Sequence, residues 1–209
     1  MNKNILVTGA SGFVGKTLVK HLINLNYNIK IISRNNKENY KNSSIEYINV
    51  DLLDKNVDYK KILNNCDTII NCAGEINDES KMHKLHVGFI SSVFSQIKDL
   101  KKSKNLNWIQ LSSVGVYGPP DIASQQREIF ENSHSNSAKM SIYEKTKLEA
   151  DNYIINNFKD SSINFCILRP SQIIGDYMPN ESINKLINVI KAKLFFYIGK
   201  KGAIRSYVH

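Results

Sequence analysis

The chain has 209 residues and carries 28 Lys+Arg against 19 Asp+Glu, a formal net charge of +9. Its 42% hydrophobic and 22% charged residues, with four Pro, exclude collagen-like, disulfide-scaffold and wholly disordered classes, and its length suits one domain with a sizeable core. The longest apolar runs, such as 194–198, fall far short of the ~18–20 residues of a membrane-spanning helix, and a glycine motif opening at Thr8 leaves no room for the apolar core of a secretory signal.

Short β-rich apolar runs alternate with helical stretches along the chain. Strands are expected at 4–8, 28–33, 46–50, 68–71, 108–112 and 164–169, and helices near 13–24, 59–63, 82–101, 141–158 and 182–192. Residues 5–7 and 29–32 are apolar throughout, as expected of strands covered on both faces. The alternation predicts an α/β fold: a Rossmann-like, doubly wound parallel sheet with helices on both faces. Two polar stretches, 35–44 and 119–139, read as long loops, the second holding Pro119-Pro120.

The strongest local signal is Thr8-Gly9-Ala10-Ser11-Gly12-Phe13-Val14-Gly15, which follows an apolar strand and opens a helix. Gly9 permits a sharp turn, Gly12 lets backbone approach a pyrophosphate, and Gly15 lets the helix pack close to the strand. The N–H groups at the helix start then offer partial positive charge to an anion, so Gly9, Ser11, Gly12, Phe13, Val14 and Gly15 are expected to hold a dinucleotide. The first gap is one residue wider than in the usual fingerprint.

About 20 residues on, where NAD-binding proteins place an acid for the ribose 2′-hydroxyl, the chain has Ser33-Arg34. A guanidinium there pairs with a 2′-phosphate, which favours NADP over NAD. Asp51, closing the third strand, reads either as an acceptor for the adenine amino group or as a turn residue.

Tyr143 and Lys147 are four apart in a helical segment, on one stripe with Ala150, Ile154 and Phe158. A cation beside a phenol favours phenolate and lowers its pKa, making Tyr143 a general acid/base. The pair gains weight from the upstream glycine motif and from a strand ending at Ser112-Ser113.

Taken with Asn71-Cys72-Ala73-Gly74, Leu-Ser-Ser-Val-Gly-Val-Tyr-Gly at 111–118 and Leu168-Arg169-Pro170, these motifs resemble, in order and spacing, the extended short-chain dehydrogenase/reductases. Among these the chain is similar to the NAD(P)-dependent epimerase/dehydratase family, many of whose members act on nucleotide-diphosphate sugars. The resemblance runs along essentially the whole chain. It implies a cofactor domain at 1–170 and a smaller, partial substrate region at 171–209. It also implies that Tyr143 is the catalytic base, Lys147 its partner and contact to the nicotinamide ribose, and Ser113 the hydroxyl that hydrogen-bonds the reacting oxygen. Ala73 and Gly74 would line the cofactor, Asp51 and Leu52 would border the adenine, and Pro170 and Ile173 would run beside the nicotinamide. Many relatives dimerise through the helices matching 82–101 and 141–158, which makes a homodimer one partner state the resemblance allows and leaves the oligomeric state open.

The departures narrow the reaction. Dehydratases of the family carry an Asp-Glu pair after the catalytic Ser or Thr, whereas Val114-Gly115 stands here and disfavours dehydration. His86 stands where an asparagine is common. Against the family pattern the chain stops at His209, where members enter a further strand and helix, so roughly a third of a usual member's length is expected to be absent.

The implied function is an NAD(P)-dependent 4-epimerase or 4-ketoreductase of a nucleotide-diphosphate sugar, with surface-polysaccharide biosynthesis as the analogy; the alternative is a non-catalytic NADP-binding module or an inactive truncated relative. The diffuse lysines read as a solvated surface, so no nucleic-acid partner and no membrane partner are expected. Cys66, Cys72 and Cys166 lack metal-ligand spacing and read as small buried hydrophobes in a reducing cytoplasm, with no metal site. His83 and His86, at i and i+3, read as a solvated helix face, and His134 has no assigned role.

Overall fold

The computed structural model describes residues 3–34, 40, 42–98, 106–118, 139–176, 178, 182–196 and 206–209, in two compact units, Met1–Arg169 and Pro170–His209. The first is built on six parallel strands: β1 (Asn4–Thr8), β2 (Asn28–Ser33), β3 (Ile45–Asn49), β4 (Thr68–Asn71), β5 (Leu106–Leu111) and β6 (Ile163–Leu168). Their spatial order is β3-β2-β1-β4-β5-β6, so successive strands are added on one side of β1 up to β3 and on its other side from β4 on, a switch point between β1 and β4. In such a sheet the crevice beyond the carboxyl ends of these strands is the place for a ligand.

Alternate residues of the strands feed two cores. Ile5 and Val7 of β1 pack with Ile29 and Ile31 of β2 under Val19 and Leu22 of α1 (Phe13–Asn24). Leu6, between them, points to the other face, where the core is larger and aromatic. There Trp108 of β5 is fully buried and meets Phe158 edge-on at 5.5 Å, while Phe158 stacks on Phe94 at 4.9 Å. Phe94 belongs to α4 (Phe89–Ile97) and Phe158 to α5 (Ile142–Phe158), so one cluster locks both helices to the sheet. Truncating such a side chain to alanine costs about 3–5 kcal/mol.

Local signals end the helices as the chain requires. Asn26, at φ +57°, follows α1; its N–H donates to Ile23 O and that of Tyr27 to Leu22 O, the paired bonds of a left-handed C-terminal stop. At the start of α5, Ser141 Oγ accepts from the Glu144 N–H, and Glu144 Oε2 accepts from the Ser141 N–H at 2.7 Å. This reciprocal box pins the first turn of the helix that carries Tyr143.

The expected strands are all present, with β3, β5 and β6 shifted by one or two residues at their ends. The helix expected at 82–101 differs more. It starts earlier, as α3 (Glu79–His83) capped by the Asp78 carboxylate, widens into a π-helical turn at Lys84–Gly88, and resumes as α4. The short α2 (Tyr59–Ile62) is capped by Asp58. Cys66 is buried as expected, but Cys72, just past the end of β4, is half-buried, and Cys166 is exposed because β6 stands at the end of the sheet order and alternate residues of it face outward. Most of the two loops at 35–44 and 119–139, with His134, lies outside the described residues.

The second unit holds β7 (Gln172–Ile173) and β8 (Tyr207–Val208), paired in parallel, and α6 (Ser182–Lys191). The sequence patterns do not predict these two-residue strands. Among the described residues no helix is long and apolar enough to cross a membrane.

Candidate active site

The glycine turn after β1 is shaped by close backbone contacts. Gly9 has φ +67°, and a Cβ there would stand 2.6 Å from the Cys72 carbonyl. A Cβ at Gly15 would overlap Gly9 O and Ala10 Cα, so this glycine is what lets α1 sit against the turn. Gly12 is different: a Cβ there meets only Gly9 O, at 3.2 Å, and otherwise enters open space. Gly12 is also the N-cap of α1 and offers no side chain to its first-turn amides. That leaves a cradle where a phosphate can approach backbone closely.

A cleft opens beside this turn. Gly9, Ser11, Gly12, Ser33, Arg34, Asp51, Leu52, Ala73 and Gly74, all expected at a cofactor site, line it. Phe13, Val14 and Gly15 stand in the first turn of α1 and are not among its lining residues. Pro170 and Ile173 belong to the second unit. Cys72, Glu75, Lys81 and Leu85 join the wall without having been expected there. Cys72 sits inside a motif quoted above and was legible, whereas Lys81 reaches the cleft through the early start of α3, for which only the Asp78 cap gives a signal.

The cleft floor is braced by buried polar side chains that cross three strands. Thr8 of β1 donates to Asn71 Oδ1 of β4, and Asn71 Nδ2 donates to Gln110 Oε1 of β5 at 2.9 Å. The Ala73 N–H reaches both Thr8 Oγ1 and Asn71 Oδ1 at 3.3 Å, which fixes the backbone entering the cleft wall. Each polar group is paired, as burial demands.

Lys147 is 4% exposed, and its ammonium donates to Leu111 O at 2.9 Å. Burial pushes its pKa down to about 8, against the pull of Asp151. Tyr143, one turn earlier on α5, places its ring centroid 6.0 Å from Lys147 Nζ. The two side chains are therefore brought together as the four-residue spacing requires. The expectation that the cation lowers the Tyr143 pKa is not met in this state. Burial, with Glu144 adding to it, raises the phenol, while the Lys147 ammonium donates a hydrogen bond to Leu111 O.

Ser113 follows β5 and caps a 3-10 turn, Val114–Tyr117, by accepting from the Gly115 N–H at 3.1 Å; its own hydroxyl proton is left to donate elsewhere. Gly115 abuts the first turn of α5, since a Cβ there would lie 2.9 Å from Glu144 Cγ. Further down α5, fully buried Asp151 accepts from Ser112 Oγ at 2.9 Å and from Arg169 Nε at 2.8 Å, and Arg169 donates to Tyr117 Oη at 3.0 Å. These bonds tie the ends of β5 and β6 to the helix bearing Tyr143 and Lys147. Lys147 also comes close to the cleft. A methyl group at Gly74, a cleft residue, would stand 3.5 Å from both Lys147 Nζ and His86 Nε2.

His86 is 1% exposed, so the reading of the two histidines as a solvated face holds only for His83, which pairs with Glu149 at the surface. The missed signal is that His86 continues the apolar stripe of Met82, Ile90, Val93 and Ile97. Among the described residues no group of three His, Cys, Asp or Glu is placed to hold a metal ion.

Comparison with known proteins gives this geometry a family. The profile of the NAD dependent epimerase/dehydratase family matches residues 5–209. A protein named putative UDP-glucose 4-epimerase from Methanocaldococcus jannaschii is 30% identical over 179 residues, which are 82% of this chain and 56% of that protein. The ADP-L-glycero-D-manno-heptose-6-epimerase of Brachyspira hyodysenteriae is 26% identical, covering 98% of this chain and 68% of its own length. Among solved structures, the UDP-glucuronic acid 4-epimerase of Bacillus cereus, in complex with UDP-glucuronic acid and NAD, superposes with a TM-score of 0.68 at 23% identity, over 90% of this chain and 63% of that one. The UDP-N-acetylglucosamine 4-epimerase of Methanobrevibacter ruminantium gives 0.71 at 22% identity, over 99% and 69%. The chain thus spans between about half and two thirds of the length of these relatives. Profile, sheet order and glycine turn agree: the chain belongs to the NAD dependent epimerase/dehydratase family.

Proposed function

We propose that this chain forms the cofactor-binding and catalytic part of an NAD(P)-dependent oxidoreductase acting at the 4-position of a nucleotide-diphosphate sugar, as a 4-epimerase or a 4-ketoreductase. The observation that carries the reading is the approach of the Lys147 ammonium to the cleft wall at Gly74, with the Tyr143 ring 6.0 Å from that ammonium. Two cleft features fit a dinucleotide: the open space at Gly12 beside uncapped helix amides, and the apolar wall of Ile32, Val50, Leu52 and Leu85. A nicotinamide dinucleotide held there supplies the hydride acceptor and donor.

The protein's own groups handle the proton. Tyr143 Oη takes the proton of a sugar hydroxyl in the oxidising direction and returns it in the reducing one. Lys147 stabilises the phenolate through its charge and holds the ribose; Leu111 O keeps its ammonium in place. Ser113, with its hydroxyl proton still to donate, hydrogen-bonds the reacting oxygen. Val114 and Gly115 offer no acid for eliminating a sugar hydroxyl.

For the cofactor we infer a preference for NADP. Arg34 lines the cleft and is the group that pairs with a 2′-phosphate; Lys81, paired with Asp78 at 2.6 Å, lines the same cleft close enough that its charge and that of Arg34 interact. The NAD named with the Bacillus cereus structure belongs to that protein. A preference for NADP tilts the reading toward reduction of an incoming ketone.

The test is a titration of the purified chain with NADPH and NADH, followed by a panel of UDP- and ADP-sugars with product analysis by NMR. The reading expects cofactor binding and a changed configuration or oxidation state at C4. Binding without turnover of any sugar leaves a ligand-holding module, and absence of nicotinamide binding overturns the reading altogether.

A further inference from the structure

His86 sits in the π-helical turn between α3 and α4, a widening of the helix that commonly marks a functional position. Its ring has polar contacts on both sides. The Glu75 N–H points to Nε2 at 3.0 Å, and Thr146 Oγ1 lies 2.8 Å from Nδ1. A backbone N–H can only donate, so Nε2 holds the lone pair and Nδ1 carries the proton. Nδ1–H then donates to Thr146 Oγ1. The Thr146 hydroxyl in turn donates to the carbonyl of Ile142 at 3.0 Å or Tyr143 at 3.1 Å. The imidazole also stands edge-on to the Tyr143 ring, with centroids 5.7 Å apart and planes at 85°.

A chain of polar contacts thus runs from the cleft wall at Glu75 through an uncharged ring to the backbone of the catalytic turn. The charged and titratable groups around it are Lys147 and Tyr143 on α5, Glu75 on the loop after β4, and His83 on its own helix. With Lys147 so close, a second positive charge on the ring would oppose the ammonium that Tyr143 needs.

We propose that His86 is a positioning residue, a neutral Nδ1–H bridge between Glu75 and Thr146 that sets the Tyr143 ring against the cofactor wall. It deepens the oxidoreductase reading and rests on it for the identity of Tyr143 as acid/base. It does not touch the reacting atoms.

Three variants separate this role from simple packing. His86→Phe keeps a ring beside Tyr143 and loses both hydrogen bonds, Thr146→Val removes only the hydroxyl, and His86→Gln keeps an amide donor and acceptor. In the whole chain with a turned-over sugar nucleotide, His86→Phe and Thr146→Val are each expected to lower kcat about tenfold or more, with KM changed less than about threefold, and to move the pH midpoint of kcat. The double variant should be no worse than the poorer single one, and His86→Gln should recover part of kcat. Additive losses with an unmoved pH midpoint would overturn the proposal.

Nitrogen-15 NMR of the histidine side chains gives a readout independent of turnover. His86 should show a protonated Nδ1 and a bare Nε2 at neutral pH, with the Nδ1–H signal lost or shifted in Thr146→Val. A protonated Nε2 or a charged ring overturns the bridge even in an active enzyme. The expected spectrum in a chain that turns over no sugar keeps the bridge and sinks the oxidoreductase reading instead.

Discussion

Replacing Lys147 with methionine is expected to stabilise the fold while removing its chemistry. The lysine is nearly fully buried, donates to one carbonyl, and has its pKa pushed by burial from an ordinary 10.5 down to about 8. At neutral pH, keeping it charged inside the fold therefore costs about 3 kcal/mol relative to the unfolded chain. Methionine keeps the apolar stem and drops the charge. It also loses the Leu111 hydrogen bond, about 1 kcal/mol; the attraction to Asp151 is already contained in the shift, and Arg169 and Ser112 still satisfy Asp151 at Oδ2. The net gain is about 1–2 kcal/mol, or a rise in Tm of a few degrees for a chain of this size.

The sign with pH follows from the same shift. Between pH 8 and 10.5 the folded wild type binds fewer protons than the unfolded chain, so its stability rises across that window and the advantage of methionine shrinks. Thermal melts of both proteins at neutral and alkaline pH are the assay. A methionine variant that melts below the wild type at pH 7, or a gap that widens with pH, refutes the reasoning.

Other outcomes follow from the cleft and its supports. Gly15→Ala drives a methyl into Gly9 O and should lower stability by about 1–3 kcal/mol in denaturant melts, whereas Gly12→Ala should melt close to the wild type yet bind dinucleotide at least about tenfold more weakly. Arg34→Glu should raise the Kd for NADPH by about tenfold or more and leave that for NADH within about threefold, read by fluorescence titration. Burial, then Lys147, pushes the His86 pKa down to about 4. The folded chain therefore loses stability as pH falls from about 6.5 to 4, by about 2–3 kcal/mol, and the slope should flatten in His86→Gln.

What the sequence discloses here is what is local to it. The glycine turn is readable because Gly9, Gly12 and Gly15 act within one strand–helix junction, and Tyr143 with Lys147 because four residues make one helical turn. The strands are legible from their apolar runs, and their parallel pairing from alternation with helices. The cross-strand support of the cleft is not readable in that way. Asn71 is 63 residues from Thr8 and 39 from Gln110, and the three are linked only because β4 lies between β1 and β5. His86 was misread for a related reason. Its polarity suggests solvent, and only Glu75 and Thr146, delivered by a different loop and helix, supply the partners that let it be buried. The Ser141–Glu144 box, by contrast, stands openly in the sequence as Ser-x-x-Glu before an amphipathic run.

The central claim is that Tyr143 moves the proton beside a dinucleotide held in this cleft. The most direct measurement is single-turnover conversion of a matched sugar nucleotide by the cofactor-loaded chain, compared with Tyr143→Phe. Loss of about 10²-fold or more in rate, with the cofactor Kd kept within about twofold, is the predicted result. A phenylalanine variant that turns over at the wild-type rate contradicts it.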